Sequence, residues 1–456
     1  MTIRRILIAN RGEIATRIIR TCRELGIETV LAASEVDRDS MPARLADRMI
    51  CIGPARPGES YLKVETIVHA ALGTNSDAIH PGYGFLSERS ALARLCEQHG
   101  IVFIGPTAAQ IEAVADKLQA RSAAEAAGIP VVPGAAVDSV DAALSVARII
   151  GRPFLVKAVG GGGGRGMKRV ERLEELPPAM ALAASEAGAA FGDARIYLER
   201  FVTGGRHIEV QILGDGKGRV IHLGERDCSI QRRYQKLLEE TPAPGLSEPL
   251  GSRLREAAVR FAERLSYRGA GTVEFLVDQE GFYFLEMNAR IQVEHPVTEA
   301  VTGVDLIAEQ IAIAGGAGLR LGQSDIHRQG CAIECRVNAE DPSRDFCPSP
   351  GLVTEVSWPT GPGIRVDTHI AAGSRVPPYY DSLMAKIIAH APDRPTALRR
   401  MQEAIAATRV TGVVTNLPFQ ALVLREPRFR AGAVDTEFVA QLLARDPVRV
   451  EGVMHG

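Results

Sequence analysis

The sequence predicts a chain of mixed α/β and α+β class in three parts. Strand and helix alternate through the first hundred residues, strands dominate from about 205 to 300, and a mixed α/β region follows about 330. At 456 residues with 46% hydrophobic content, the chain can bury several cores. A formal net charge of −2 argues against a polybasic nucleic-acid or membrane-surface binder. No apolar run reaches the length of a membrane span, and the N-terminal Met1-Thr2-Ile3-Arg4-Arg5 leads into too few apolar residues for a secretory signal. Seven scattered cysteines do not form a disulfide framework or a zinc-ligand spacing, so buried, reduced thiols and a cytoplasmic setting are expected. Only seven of the 53 basic residues are lysine, which makes each lysine position informative.

Arg5 to Ala9 reads as a buried strand, Asn10-Arg11-Gly12 as a turn, and Glu13 to Leu25 as an amphipathic helix with Gly26 as its C-cap. Ala78 to Gly82 and Ile101 to Pro106 are further strand-plus-turn units, giving a parallel sheet with ligand loops at the strand ends. No G-x-G-x-x-G follows the first strand, so a dinucleotide site is not supported. An Ala-rich helix is expected over about 108–127, with domain boundaries near 115 and 330: 1–115, 116–330 and 331–446.

Phe154 to Val159 reads as a buried strand carrying Lys157, followed by five glycines, Gly160 to Gly164, and Arg165-Gly166-Met167. Ordering five glycines is entropically costly, which disfavours a purely structural role. Such a loop can turn its amides to an anion and act as a lid, and the lysine supplies a point charge for phosphate. Tyr197 to Val202 is an apolar strand with one carboxylate, Glu199, suited to an adenine edge.

Gly271 to Asp278 and Phe282 to Asn288 are two strands joined by Gln279-Glu280-Gly281, a three-residue loop with Gly at the left-handed position. That register sets Glu274 opposite Glu286, a like-charge pair that a divalent cation would relieve. Asn288 adds an oxygen on the same face, and an all-oxygen set suits Mg²⁺ or Mn²⁺ beside nucleotide phosphates. If the chain stays extended, Arg290, Gln292 and Glu294 continue that face: a guanidinium for an anion and a carboxylate base. The charge cluster Glu225 to Lys236 reads either as a solvated loop or as a functional segment.

At this point the chain resembles the biotin carboxylases of the ATP-grasp superfamily. The resemblance is carried in order by Ile8 to Ala15, His80 to Glu88, Lys157 with Gly160 to Met167, Glu225 to Ser229, Glu286 to Pro296 and Pro378 to Ser382. It implies a Rossmann-like N-terminal domain, a central ATP-grasp domain with a glycine-rich lid subdomain over about 130–205, and a C-terminal domain. It implies ATP- and bicarbonate-dependent carboxylation of biotin, via carboxyphosphate. Lys117, Lys157, Gly162, Gly163, Gly164, Met167, Glu199, Val202, His207, Gln231 and Lys236 would hold the nucleotide. Glu274, Glu286 and Asn288 would hold metal. Arg290, Gln292 and Val293 would hold bicarbonate, with Glu294 as its base; Arg336 would stabilise the biotin enolate, with Tyr83 and Arg17 near biotin.

One departure is Tyr234, where the family often has His before the Gln-Lys pair. No Ala-Met-Lys-Met biotin-attachment motif occurs, so biotin is expected on a separate biotin carboxyl carrier protein, with carboxyltransferase subunits completing an acyl-CoA carboxylase. A homodimer is also implied. Pyruvate, propionyl-CoA or urea systems, or a different ATP-grasp ligase, are the alternatives.

Overall fold

The computed structural model describes residues 2–160 and 167–445. Gly162, Gly163 and Gly164 of the expected lid lie outside the described residues.

The N-terminal strands form a five-stranded, all-parallel sheet in the order Arg48–Cys51, Glu28–Ala33, Arg5–Ile8, Ala78–His80, Val102–Phe103. Leu7 and Ile79 bury into one apolar cluster, Ile6 and Ile8 into another, so the sheet is covered on both faces. The order of strand addition reverses between Arg5–Ile8 and Ala78–His80. The loops at their carboxyl ends, Ala9 to Gly12 and Pro81 to Ser87, therefore flank a crevice. At Gly82 (φ +62°) an added Cβ would lie 2.9 Å from the Asn10 amide nitrogen. That amide donates to the Pro81 and Tyr83 carbonyls at 2.7 Å each, tying the two loops together.

The expected Ala-rich helix is two, Ala108–Ala115 and Lys117–Ala126. Asp116 takes an extended conformation between them and its carboxylate caps the second helix, accepting from Leu118 and Gln119 N–H. Lys117 consequently opens that helix. A four-stranded antiparallel sheet follows, in the order Gly134–Val137, Ile196–Arg200, Phe154–Ala158, Met167–Val170. The helices Val140–Ile150 and Leu176–Phe191 pack over it.

The largest sheet has eight strands: Phe282–Asn288, Arg268–Val277, Arg206–Asp215, Val220–Arg232, Gln235–Thr241, Cys331–Asn338, Leu383–Ala391 and Ile364–Thr368. It runs without a break from the central region into the C-terminal one. The cluster Glu225 to Lys236 is strand, not loop: Glu225, Arg226, Asp227, Ser229 and Gln231 are buried. Arg233 and Tyr234 form the tight turn, both at positive φ (+49° and +67°), as a two-residue hairpin with right-handed strand twist requires.

Glu274 does pair with Glu286, but by a different route from the expected one. Val277 faces Phe282, so the loop is Asp278 to Gly281, and its Asp278 carboxylate accepts from Glu280 and Gly281 N–H. Gly281 has φ +156°, not the compact left-handed conformation expected. A bulge between Glu274 and Phe275 restores the register. Beyond Asn288 the chain bends instead of staying extended, and His295 opens the helix His295–Thr302. All seven cysteines are free, but Cys51 and Cys347 are exposed, not buried. No helix among the described residues is long and apolar enough to cross a membrane.

Candidate active site

One register row builds the floor of the site. Glu286, Glu274, Glu209 and Arg226 are successive Cα partners on four adjacent strands, so their side chains share one face. Three carboxylates in a row need cations. Arg226, fully buried, donates to Glu209 Oε1 at 2.5 Å and also to Gln211, Thr272 and Thr298. Lys236 Nζ, on the Gln235–Thr241 strand, reaches Glu209 Oε2 at 2.5 Å and both Glu274 Oε1 and Glu294 Oε1 at 2.8 Å. One ammonium thus donates to three carboxylates.

Glu294 is fully buried and sits between cations. Its Oε2 accepts from Arg336 at 3.0 Å, and Arg336 Nε donates to Glu239 at 2.6 Å. Burial opposes its ionisation, but Lys236, Arg336 and Arg226 outweigh it and hold the carboxyl well below the usual range. Burial raises Glu239 to about 7, against the pull of Arg336.

Arg290 Nε donates to Glu88 Oε2 at 2.8 Å, Nη1 to Gln292 Oε1 at 2.9 Å, and Nη2 to Asn288 Oδ1 at 3.0 Å. Gln292 Nε2 in turn reaches Glu274 Oε1 at 3.3 Å. The bend after Asn288 therefore still gathers Arg290, Gln292 and Glu294 around Glu274 and Lys236.

The expected nucleotide residues line the approach from the smaller sheet. Lys157 faces Tyr197 and Met167 across its two neighbours and pairs with Glu199. Burial disfavours its charge, yet Glu199 raises its pKa overall. Lys117 is pulled down by burial and by Lys157, with Glu286 opposing. His207 Nε2 lies 2.9 Å from Glu274 Oε2, and Gln231 Nε2 lies 3.4 Å from His207 Nδ1. Val202 is buried at the end of the Glu199 strand.

For a hard divalent cation the donor set fits. Glu286 faces Glu274 directly, and its side chain has no hydrogen-bond or ion-pair partner among the described residues. Burial and the Glu274 charge raise its pKa, against Lys117. Glu274 and Glu286 offer oxygens, as Mg²⁺ or Mn²⁺ prefers, while Asn288 turns its Nδ2 to Glu274 at 2.8 Å and its Oδ1 to Arg290 at 3.0 Å.

A pocket opens between the N-terminal loops and the Tyr380 loop. Asn10, Arg11, Glu13, Tyr83, Gly84 and Asp381 are among its lining residues. Tyr83 is at its wall and donates to Glu13. Arg17 is not among the lining residues. It is buried against Glu299 (2.9 Å) and Asp305 (3.0 Å), tying its helix to Leu306–Ala314. Residues that sequence reasoning missed are Glu209, Arg226, Glu239, Glu88, Arg121 (3.6 Å from Glu199) and Lys386. For Glu209 a signal existed: His207, Glu209 and Gln211 alternate with Ile208, Val210 and Ile212, a polar face on an otherwise buried strand.

Residues 2–111 match the family described as biotin carboxylase, N-terminal domain, and 334–441 the biotin carboxylase C-terminal domain. Residues 116–322 match the ATP binding domain of the carbamoyl-phosphate synthase L chain. A biotin carboxylase of Nostoc sp. is 51% identical over 441 residues, covering 96% of this chain and 99% of that protein. A pyruvate carboxylase subunit of Methanothermobacter thermautotrophicus is 47% identical over 437 residues, 95% of this chain and 89% of that one. Among solved structures, the biotin carboxylase domain dimer of Hydrogenobacter thermophilus 2-oxoglutarate carboxylase, in complex with MgADP, ADP and bicarbonate, superposes with a TM-score of 0.94 at 44% identity, covering 99% of both chains. Biotin carboxylase of Campylobacter jejuni, in a β-γ-ATP complex, gives 0.94 at 45% identity, covering 96% of this chain and 99% of that one. The fold class expected from sequence is borne out by these structures. With the carboxylate row, the buried lysine and the arginine pair in place, the chain belongs to the biotin carboxylase family of ATP-dependent carboxylating ligases.

Proposed function

We propose that this chain carboxylates biotin held on a separate biotin carboxyl carrier protein, using ATP and bicarbonate, as the first half-reaction of an acyl-CoA carboxylase with acetyl-CoA as final acceptor. The observation that carries the chemistry is the convergence of Arg290, Gln292, Glu294, Lys236 and Arg336 on one buried floor beside the Tyr83 pocket. Arg290 and Gln292 orient the bicarbonate oxyanion. Glu294 accepts its proton, so that the oxygen can attack the terminal phosphate of ATP. Lys236, Lys157 and Lys117 meet the charge of the phosphates. A divalent cation on Glu274, Glu286 and Asn288 would neutralise charge on the transferred phosphoryl group. Arg336 faces the negative charge that develops on the biotin ureido oxygen.

Polyphosphate arriving at Lys236 competes with Glu294 for its ammonium, which relieves part of the field that keeps Glu294 a weak base. The chain is proposed to work as a homodimer in the cytoplasm, as the related domain dimer suggests, with carboxyltransferase subunits and the carrier as partners and no nucleic acid or membrane. Pyruvate is the second acceptor reading, favoured by the 47% identity to a pyruvate carboxylase subunit.

The test is ADP release from the purified chain. It should require free biotin and bicarbonate together; turnover indifferent to both would overturn the reading. Adding the co-purified carrier and its carboxyltransferase, then offering acetyl-CoA, propionyl-CoA, pyruvate and urea, decides the acceptor.

A further inference from the structure

Lys386 is a buried cation that the catalytic assignments leave unused. It lies on the Leu383–Ala391 strand with no exposed surface, between Arg336 and Asp367 on the neighbouring strands. Its Nζ donates to the Val293 carbonyl at 2.8 Å and pairs with Glu13 Oε1 at 3.1 Å. Glu13 is also buried, in the first turn of the helix Gly12–Glu24, and the same oxygen accepts the Tyr83 hydroxyl. A chain of polar contacts therefore runs from the pocket wall, through Glu13 and Lys386, to the backbone of the segment that carries Gln292 and Glu294.

The preceding carbonyl is held as well. The Gln292 C=O accepts from His295 Nδ1 at 2.8 Å, on a ring that is itself fully buried. A planar trans peptide points its N–H opposite to its C=O. With the Gln292 and Val293 carbonyls each held by a buried side chain, the Val293 and Glu294 N–H groups each point away from that side chain. Neither has an acceptor among the described residues. Two free, consecutive amides in the segment that follows Arg290 offer a donor pair to a small oxyanion.

We infer that Lys386, seated by Glu13, is a positioning residue. It holds the Val293 peptide so that the backbone amides at 293 and 294 present themselves to bicarbonate, and it couples that presentation to Tyr83 at the biotin pocket. The inference rests on the proposed function and adds the agent that orients its anion clamp. A purely structural buried ion pair would stabilise the fold without favouring one substrate over another.

The experiment compares Lys386→Met and the charge-balanced double variant Lys386→Met with Glu13→Gln against the unmodified chain, as full-length protein, by steady-state ADP release with free biotin. The bicarbonate KM should rise about tenfold to a hundredfold in both, while the ATP KM stays within about twofold. Equal movement of both KM values overturns the inference, as does an unchanged bicarbonate KM in a folded variant. Should Lys386→Met fail to fold, the double variant, which removes both members of the Glu13–Lys386 ion pair, decides on the same criteria. An unmodified chain that ignores bicarbonate and biotin fails the functional reading itself, and is told apart by that control.

Discussion

Glu294→Gln should lower bicarbonate-dependent turnover by about 10²–10⁴-fold, the usual share of a general base, while ATP binding stays near normal. Glutamine keeps the shape and can accept a hydrogen bond but cannot take a proton at neutral pH. The neighbouring cations do not lose all support: Lys236 keeps Glu209 and Glu274, and Arg336 keeps Glu239. The fold should therefore survive, which a thermal melt checks alongside the rate. Near-normal turnover would remove Glu294 from the base role and move the proton acceptor elsewhere in the site.

Lys236→Gln should cost both rate and stability. Its ammonium is the shared partner of Glu209, Glu274 and Glu294, all buried. Breaking a buried ion pair on one side costs about 3–5 kcal/mol, because the remaining charge is left uncompensated. The phosphate anchor disappears too, so turnover should fall roughly 10²-fold or more. Adding Glu209→Gln to Lys236→Gln separates the two effects. With one carboxylate gone and Arg226 still held by Gln211, Thr272 and Thr298, the charge balance improves, so part of the melting temperature should return without ADP release. Recovery of activity together with stability would show that Lys236 only balances charge.

The sheets and the hairpin were legible because periodicity and turn chemistry report backbone state directly. The Glu274–Glu286 opposition could be read from the alternation of Val273, Phe275, Leu285 and Met287 around the two carboxylates, although the bulge that delivers it could not. A bulge and a one-residue change of loop cancel in register, and no local residue type announces either. The bend after Asn288 was hidden for a similar reason: an alternating pattern fits an extended chain as well as a segment whose side chains are gathered by a turn. Arg226 and Lys386 were opaque because their partners lie on other elements: Arg226's on neighbouring strands and a helix, Lys386's in the turn at Val293 and the helix carrying Glu13. Glu209 is 17 residues from Arg226, and Val293 is 93 residues from Lys386. Even the scarcity of lysine, which drew attention to Lys117, Lys157 and Lys236, left Lys386 without a role until the strands were paired. For Arg17 the structure adds partners that its position in the sequence did not announce, Glu299 and Asp305.

The uninterrupted eight-stranded sheet bears on which pieces of this chain can exist alone. The ATP-binding family match ends at 322 and the C-terminal match begins at 334, yet Leu238 to Thr241 hydrogen-bond across that seam to Ala332 to Cys335. A fragment stopped at residue 330 would leave Gln235–Thr241 as a bare edge strand, with Leu237 and Leu238 stripped of the apolar cluster they share with Cys335 and Ile387. Such an edge recruits other chains, so the fragment should self-associate in light scattering where the intact protein stays dispersed. Because the last strand of the central region is completed by the first strand of the C-terminal one, the two should melt in one transition rather than two.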